Sequence, residues 1–228
     1  MILLSLGTSG GGTVDSILKS SYIETLPFWN FGFNPNYRLT LNNSFSDCNN
    51  LRTIPNWNIY SITLFEYTFA NCYSLQNVPN WDMSNVLGIT GIFYGCGSLQ
   101  SIPNWNTSKV TNMSYTFGFC NNLVNIPNWN TVNVTNMSRT FLNCTSLVNV
   151  PNFDTSNVTN MSYAFYNCRN LSDASIQNII NMCLNSNVPT SKRNLHTSNV
   201  ESPLGNTNIA NTRYQNRWSE LTAAGWSY

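Results

Sequence analysis

A cysteine recurs every 24 residues through the middle of this 228-residue chain. A phenylalanine stands three residues before each of these cysteines, and a leucine stands three residues after it. The cysteines are Cys48, Cys72, Cys96, Cys120, Cys144 and Cys168. Units this short cannot each enclose a core, so they bury their apolar side against their neighbours. The period therefore predicts a solenoid, in which successive units stack on one another.

The apolar residues of one unit predict how the chain winds. Most of them are three residues apart, neither strictly alternating nor at a sustained helical spacing, which favours short strands, turns and 3₁₀-like pieces. We predict a strand at Leu123–Ile126 that ends at Pro127, because proline cannot donate to a strand ladder. Such strands would form a parallel sheet along one face. We also expect Phe141 to point inward and its neighbour Thr140 to point outward.

The repeated motif F-x-x-C-x-x-L-x-x-[IV], followed by W/F-[ND]-x-x-x-V-x-x-M, resembles the BspA-type leucine-rich repeat of bacterial surface proteins. The resemblance is clearest over residues 80–171 and reaches back to Phe45. Common units of that family are longer between the isoleucine and the aromatic residue, where this chain has only proline and asparagine. The resemblance implies recognition of proteins or glycans at a surface, and it places the repeated aromatic residue inside the stack.

These observations predict an α/β solenoid, a leucine-rich-repeat-like right-handed stack of coils with short parallel strands, a 24-residue period and a helical C-terminal cap. We divide the chain into a leader or attachment segment (residues 1–25), the solenoid (26–171) and the cap (172–228). The first coil carries four extra residues, because the segment at Trp29 matches the segment at Trp57 with an offset of 28.

The cap is predicted to contain two helices. The first begins after Ser172, which is a good N-cap residue. Its apolar face would cover the open end of the last coil and consists of Ile176, Ile179, Ile180, Cys183 and Leu184. The second spans residues 211–224 and stops at Gly225. The last residues, WSELTAAGWSY, resemble C-terminal tails of BspA-type proteins encoded by phages and prophages of gut bacteria.

Composition and charge narrow the classes of function. Charged residues make up 8% of the chain and the net charge is +1, so the clustered positive charge that nucleic-acid binding requires is missing. No stretch approaches the roughly 20 apolar residues of a membrane span, and the first residues lack the features of a signal peptide. We therefore expect no nucleic-acid partner and no membrane insertion. The repeated cysteines are expected to be buried free thiols, although neighbours would lie close enough to form disulfides.

No group of residues predicts catalysis. His196 is the single histidine and has no suitably spaced partners for a triad or a metal site. Asp82 and Asp154 share a unit position with asparagines, which favours a turn rather than a pair of catalytic carboxylates. We predict no catalytic, cofactor-binding or metal-binding residues, no cofactor and no enzyme activity. The tryptophans at the repeated aromatic position favour a core role, with a sugar-stacking stripe as the alternative.

A candidate recognition surface comes from tyrosines outside the core pattern. Three of them occupy the position five residues before the cysteine, and two occupy the position two residues before it. Arg139 and Gly118 fill the same positions in other units, so both positions are expected to face outward. Tyrosine offers rigid amphipathic contact area and is common at recognition surfaces. The candidates are Tyr67, Tyr94, Tyr115, Tyr163 and Tyr166.

We expect a non-catalytic structural or adhesive protein, and we favour a phage virion component, such as a tail or head fibre or a decoration protein, for attachment to the host surface. Its expected location is the phage particle. We favour this location because no export signal or anchor is recognised in the sequence, and a virion protein that assembles in the cytoplasm needs neither. Expected partners are other virion proteins through residues 1–25, a host cell-surface protein or glycan, and further copies of the chain in a homo-oligomer. The alternative is a bacterial cell-surface adhesin of the BspA-like class.

Overall fold

The structure is a computed structural model that describes residues 22–31, 38–189, 220–221 and 223–226. Most of the predicted attachment segment, most of the second predicted helix, and His196 lie outside the described residues. The described elements are β1 (Leu39–Thr40), β2 (Ile62–Leu64) and α1 (Asp173–Asn185).

Neighbouring units lie side by side and run in parallel. β1 pairs with β2 in parallel, and single parallel bridges continue the line, each joining residues 24 apart: Leu64–Gly88, Gly88–Asn112, Asn112–Asn136 and Asn136–Asn160. At the N-terminal end the bridges Thr25–Thr53 and Asn30–Asn58 join residues 28 apart. This confirms the four extra residues predicted for the first unit. The right-handed leucine-rich-repeat class remains a prediction.

The strand predicted at Leu123–Ile126 is reduced to one bridge, between Asn125 and Asn149. The Leu123 amide bonds within its own unit, to the Cys120 carbonyl at 3.2 Å, while the Ile126 amide donates to the Asn149 carbonyl of the next unit at 3.3 Å. The main line of bridges runs instead through the position of Asn112. The residue spacing located the apolar side chains correctly, but it did not show which backbone groups pair between units.

The core consists of columns in which one unit position repeats along the stack. The six phenylalanines are fully buried, and their ring centroids follow one another at 5.2–6.1 Å with nearly parallel planes. Trp57, Trp81, Trp105 and Trp129 form a second column, are 2–3% exposed and stack at 5.7–6.0 Å. Offset stacking of this kind adds to the free energy of burial. The core interpretation of the tryptophans is confirmed.

The cysteines form a third column and are free thiols, as predicted. From Cys72 onward each repeated thiol donates a hydrogen bond to the carbonyl of the phenylalanine 27 residues earlier, as Cys144 does to Phe117 at 3.0 Å. Burial raises the pKa of the Cys168 thiol to about 12. A thiol held neutral in this way is a poor nucleophile and behaves as a small apolar group.

The outward placement predicted for Thr140 is wrong. Thr140 is fully buried, and its hydroxyl donates to the carbonyls of Met137 at 2.7 Å and Met113 at 3.0 Å. Thr116 makes the same pair of bonds one unit earlier, to Met113 and Ile89. A buried hydroxyl costs little free energy once its hydrogen bonds are made. The outward prediction failed because it was based on the polarity of threonine alone.

Helix α1 packs on the last unit, as predicted for the cap. Its N-cap is Ser172, whose hydroxyl accepts from the Ser175 amide, and its buried face includes Ile176, Ile179, Ile180, Met182 and Cys183. The Ser175 hydroxyl donates to the Val148 carbonyl at 2.8 Å, which ties the first turn to the stack. Farther along the chain, Gly225 has φ +83° and the Trp226 amide donates to the Leu221 carbonyl. This is the helix end predicted at Gly225.

Candidate recognition surface

Two positions of each unit have a left-handed backbone, with φ between +50° and +77°. The first left-handed position contains Asn43, Tyr67, Gly91, Tyr115, Arg139 and Tyr163; the second contains Asp47, Asn71, Gly95, Phe119, Asn143 and Asn167. Glycine, asparagine and aspartate adopt this conformation readily, whereas bulky residues do so at a cost. Tyrosine, arginine and phenylalanine are therefore unusual occupants.

The left-handed positions arise from how neighbouring units are joined. Alternate amides of one unit donate to carbonyls of the next: Phe65 to Gly88, Tyr67 to Thr90, Phe69 to Ile92 and Asn71 to Tyr94, at 2.6–3.1 Å. The amides between them are turned away from the next unit, and that of Ala70 bonds within its own turn. A reversal of φ at Tyr67 and again at Asn71 accompanies this pattern. The pairing between units thus requires the left-handed conformation, but it does not require a tyrosine or an arginine at these positions.

The bulky left-handed residues and two further tyrosines meet in one continuous surface, which we call the tyrosine strip. It consists of Tyr67, Tyr94, Tyr115, Phe119, Arg139, Tyr163 and Tyr166. Within its first part the ring centroids of Tyr67, Tyr94 and Tyr115 lie 6.0–6.4 Å apart, and Phe119 packs edge-on against Tyr94 at 5.3 Å. All five tyrosines predicted from the sequence fall in the strip.

Arg139 joins the two parts of the tyrosine strip. Its guanidinium carbon lies 5.3 Å from the ring centroid of Tyr115 and 4.5 Å from that of Tyr163. The Tyr163 ring in turn contacts Tyr166 at 5.7 Å. Sequence reasoning took Arg139 only as a sign that its position faces outward, and it missed Phe119. The signal that could have found Arg139 is its place between two tyrosines of the same unit position.

Two glycines let the rings lie close to the backbone. A β-carbon at Gly91 would overlap the Tyr67 ring, and one at Gly118 would come within 3.0 Å of the Tyr94 ring. Each glycine therefore leaves the space that a tyrosine of the preceding unit occupies. The rings are held in place by neighbouring backbone as well as by one another.

The tyrosine strip is partly exposed. Its tyrosines and Arg139 are half-buried, and Phe119 is 36% exposed. Burial, followed by the neighbouring Tyr115 and Tyr94, raises the pKa of the Tyr67 hydroxyl. Across residues 38–189 the guanidinium of Arg139 makes no hydrogen bond or ion pair; it contacts the rings of Tyr115 and Tyr163, and its charge acts to lower the pKa of the Tyr67 hydroxyl.

A cleft of about 270 Å³ lies at other unit positions, near the N-terminal end of the stack. Its lining is Arg38, Tyr60, Ser61, Thr63, Asn85, Leu87 and Lys109. The Lys109 ammonium donates to the Asn85 side-chain oxygen at 3.0 Å, and the Asn85 amide nitrogen donates to the Tyr60 carbonyl at 3.1 Å. Much of its polar lining is thus engaged in holding neighbouring units together.

The two aspartates considered for catalysis form turns. Asp154 accepts from the Ser156 amide at 2.9 Å and hydroxyl at 2.7 Å, and these bonds lower the pKa of its carboxyl group. Asp82 accepts from the Ser84 amide at 3.0 Å. This confirms the turn interpretation.

Within the described ranges, no three histidine, cysteine, aspartate or glutamate side chains are grouped so that they could hold a metal ion. The same part of the chain contains no helix with the length and apolar character that a membrane span needs.

The chain was compared with protein-family models, with curated proteins and with solved structures. The comparisons with curated proteins and with solved structures gave no match. A family model matches twice, over residues 39–124 and 65–179. Together the two matches span residues 39–179, which is more than half of the 228-residue chain. The chain therefore belongs to the family described as Mycoplasma protein of unknown function, DUF285.

Proposed function

We propose that this chain is a non-catalytic attachment protein that binds a host cell surface through the tyrosine strip. The observation that carries the proposal is the backbone conformation of Tyr67, Tyr115, Arg139 and Tyr163, with φ between +50° and +59°. A side chain in this region costs about 1–2 kcal/mol, and Gly91 fits the same position without that cost. Residues held in unfavourable conformations concentrate at functional sites, which supports a binding role for this surface.

The packing of the tyrosine strip suits binding. Each ring is held by neighbouring rings or by the guanidinium of Arg139, so little side-chain freedom would be lost when a ligand binds. Tyrosine combines an apolar ring with a hydroxyl that can donate and accept, which serves contact with proteins and glycans alike. The strip extends over several units, and this favours an elongated ligand over one held in a deep pocket.

A phage particle is the setting we propose. The family is associated with BspA-like repeat proteins, and the C-terminal residues resemble those of phage-encoded relatives. In this setting residues 1–25 would contact other virion proteins, and the strip would face the host as part of a tail or head fibre or a decoration protein. Mass spectrometry of purified virions tests the setting directly, since the protein should be present in stoichiometric amounts.

The alternative setting is a bacterial cell surface. The BspA-type repeat itself favours it, because that repeat is typical of bacterial surface proteins. Both settings use the same strip, so they differ in where the protein is found and not in how it binds. Detection in the bacterial wall fraction, with none in virions, would decide for the adhesin.

The binding role is tested by replacing Tyr67, Tyr115 and Tyr163 with serine in one variant. We expect an unchanged fold by circular dichroism and weaker binding to host cells, with a larger loss in a multivalent format. The matched control replaces Tyr22, Tyr60 and Tyr73, which are 47–89% exposed and lie outside the strip. Equal binding by the wild type and the strip variant would contradict the proposal, as would an equal loss in the control.

A further inference from the structure

Arg139 is the only cation in the tyrosine strip, and its surroundings leave its hydrogen-bond donors open. The tyrosines beside it, Tyr115 and Tyr163, occupy the same position in the units before and after. Its guanidinium lies over both rings, 5.3 and 4.5 Å from their centroids. A contact of this kind uses the positive charge of the guanidinium and does not require a hydrogen-bond acceptor for its N–H groups. No acceptor within residues 38–189 engages those donors.

A guanidinium presented in this way is suited to an oxyanion. Its N–H groups form a rigid fork that matches a carboxylate or a phosphate with two parallel hydrogen bonds. Arg139 is half-buried beside the two rings, and this partial removal from water strengthens its attraction to a negative charge. Since these rings also hold the guanidinium in place, binding need not order a long flexible side chain.

The rest of the tyrosine strip indicates what the oxyanion is attached to. Six aromatic rings accompany a single cation, so the complementary ligand has many apolar faces for each negative charge. An acidic peptide would present a charge at nearly every residue and would leave most of these charges unpaired. A polysaccharide offers sugar rings with apolar C–H faces, hydroxyls for the tyrosine hydroxyls, and an acidic group at intervals.

We propose that the tyrosine strip binds an anionic polysaccharide, with one carboxylate or phosphate group on Arg139 and the adjoining sugar rings stacked on the tyrosines. This inference rests on the proposed attachment function and adds the class of ligand. Carboxylate and phosphate present the same chemistry to the guanidinium, so the choice between them is left to the choice of probe.

The test measures binding of the full chain to four polymers by calorimetry: hyaluronate, which carries a carboxylate on every second sugar, phosphomannan, neutral dextran and polyglutamate. We expect at least one of the two anionic polysaccharides to bind about tenfold or more tighter than dextran and polyglutamate, and to weaken as salt is raised. A preference for hyaluronate identifies a carboxylate, and a preference for phosphomannan a phosphate. Binding to none of them, or equal binding to dextran, would overturn the inference. Preference for polyglutamate would overturn it in favour of an acidic protein.

Variants assign the effect to the guanidinium. Arg139→Gln should weaken binding of the preferred polymer at least about tenfold, and Arg139→Lys should weaken it too, because the ammonium cannot form the fork. The matched control is Arg52→Gln, at an exposed arginine outside the strip, and it should change nothing. If Arg139→Gln fails to fold, the lysine variant decides. Unchanged affinity in whichever variant folds would refute the role of Arg139.

The inference and the proposed function can fail separately. If wild-type protein binds host cells, the triple tyrosine variant does not, and neither anionic polymer competes, attachment stands and the ligand class is wrong. If wild-type protein does not bind host cells at all, the attachment function itself is wrong.

Discussion

The interior columns and the tyrosine strip differ in how the residue type varies from one unit to the next. Inside, every position of the core stays apolar and some keep one residue type throughout, as with the six fully buried phenylalanines that stack on one another. Outside, the first left-handed position changes from asparagine to tyrosine, glycine, tyrosine, arginine and tyrosine along the same stack. Identical units can pack only if their inner surfaces match. The first left-handed position does not have to match its neighbours in this way. It holds tyrosine and arginine, which adopt the left-handed conformation at a cost in free energy.

The second left-handed position sharpens the contrast. Most of its occupants tolerate the conformation, and their side chains link neighbouring units: Asn71 donates to Asp47 at 2.9 Å, and Asn167 donates to Asn143 at 2.7 Å. This position therefore serves the stack, except at Phe119, which joins the tyrosine strip. Two positions with the same backbone thus differ in purpose, and stability measurements can separate them.

The largest expected effect concerns the interior cysteines at alkaline pH. Burial raises the pKa of Cys72, Cys96, Cys120, Cys144 and Cys168 in the folded state above about 8.5 in the unfolded chain. Their contribution to stability is thus complete below about pH 8.5 and is lost as the pH rises toward the folded-state pKa. Each thiol lowers the free energy of unfolding by up to about 1.4 kcal/mol per pH unit in that window. Urea unfolding at pH 7 and pH 10 measures the combined loss.

A control for this prediction removes two thiols. The double variant Cys120→Ala, Cys144→Ala should start from a lower stability at pH 7 and lose less of it by pH 10. Because the cysteines are free, a reductant should leave the melting temperature unchanged at pH 7. Equal stability at pH 7 and pH 10 would contradict the buried column of thiols.

The next effect compares an interior ring with a ring of the tyrosine strip. Phe141 is fully buried between Phe117 and Phe165, with centroids 5.7 and 5.2 Å away. Phe141→Ala should lower the free energy of unfolding by about 3–5 kcal/mol, since it leaves a cavity in the column. Chemical denaturation measures this loss. A loss below about 1 kcal/mol would mean that the column does not support the stack.

A smaller effect is expected at Thr140. Its buried hydroxyl bonds two carbonyls, one of them in the preceding unit, so Thr140→Val should cost about 1 kcal/mol. Thr135 is the matched control, because it is exposed and its hydroxyl donates to the Thr111 carbonyl at 3.2 Å. Thr135→Val should cost less than about 0.5 kcal/mol. If Thr140→Val and Thr135→Val have the same melting temperature, the buried hydroxyl of Thr140 does not stabilise the fold as proposed.

The smallest effect on stability is expected at Tyr115. Tyr115→Gly removes ring contacts but relieves the left-handed backbone at φ +59°, a gain of about 1–2 kcal/mol. The two terms nearly cancel, so the free energy of unfolding should change by less than about 1 kcal/mol. Tyr115→Val should destabilise more, because a β-branched residue fits this conformation poorly. If Tyr115→Gly were as destabilising as Phe141→Ala, the Tyr115 ring would be needed for the stability of the fold, which would contradict this prediction.

Periodicity predicted the interior well, because packing between identical units repeats the same apolar position. Ser172 and Gly225 were predicted because helix ends use few residue types. The strand predicted at Leu123–Ile126 is reduced to a single bridge at Asn125, since backbone pairing leaves little trace in side-chain spacing. The tyrosines were found because they occupy unit positions that hold other residue types in other units. The contact of Arg139 with two rings could not be predicted, because those rings belong to residues two units apart. The left-handed backbone was not foreseen, because tyrosine is a poor indicator of it.

The central claim is that the tyrosine strip is kept for binding and not for stability. One variant tests it most directly: Tyr67→Gly, Tyr115→Gly and Tyr163→Gly combined, measured for both urea unfolding and host-cell binding. The account predicts a cooperative fold with less loss of stability than Phe141→Ala alone causes, together with at least a tenfold loss of binding, as expected for aromatic hot spots. Unchanged binding, or a stability loss larger than that of Phe141→Ala, would contradict it.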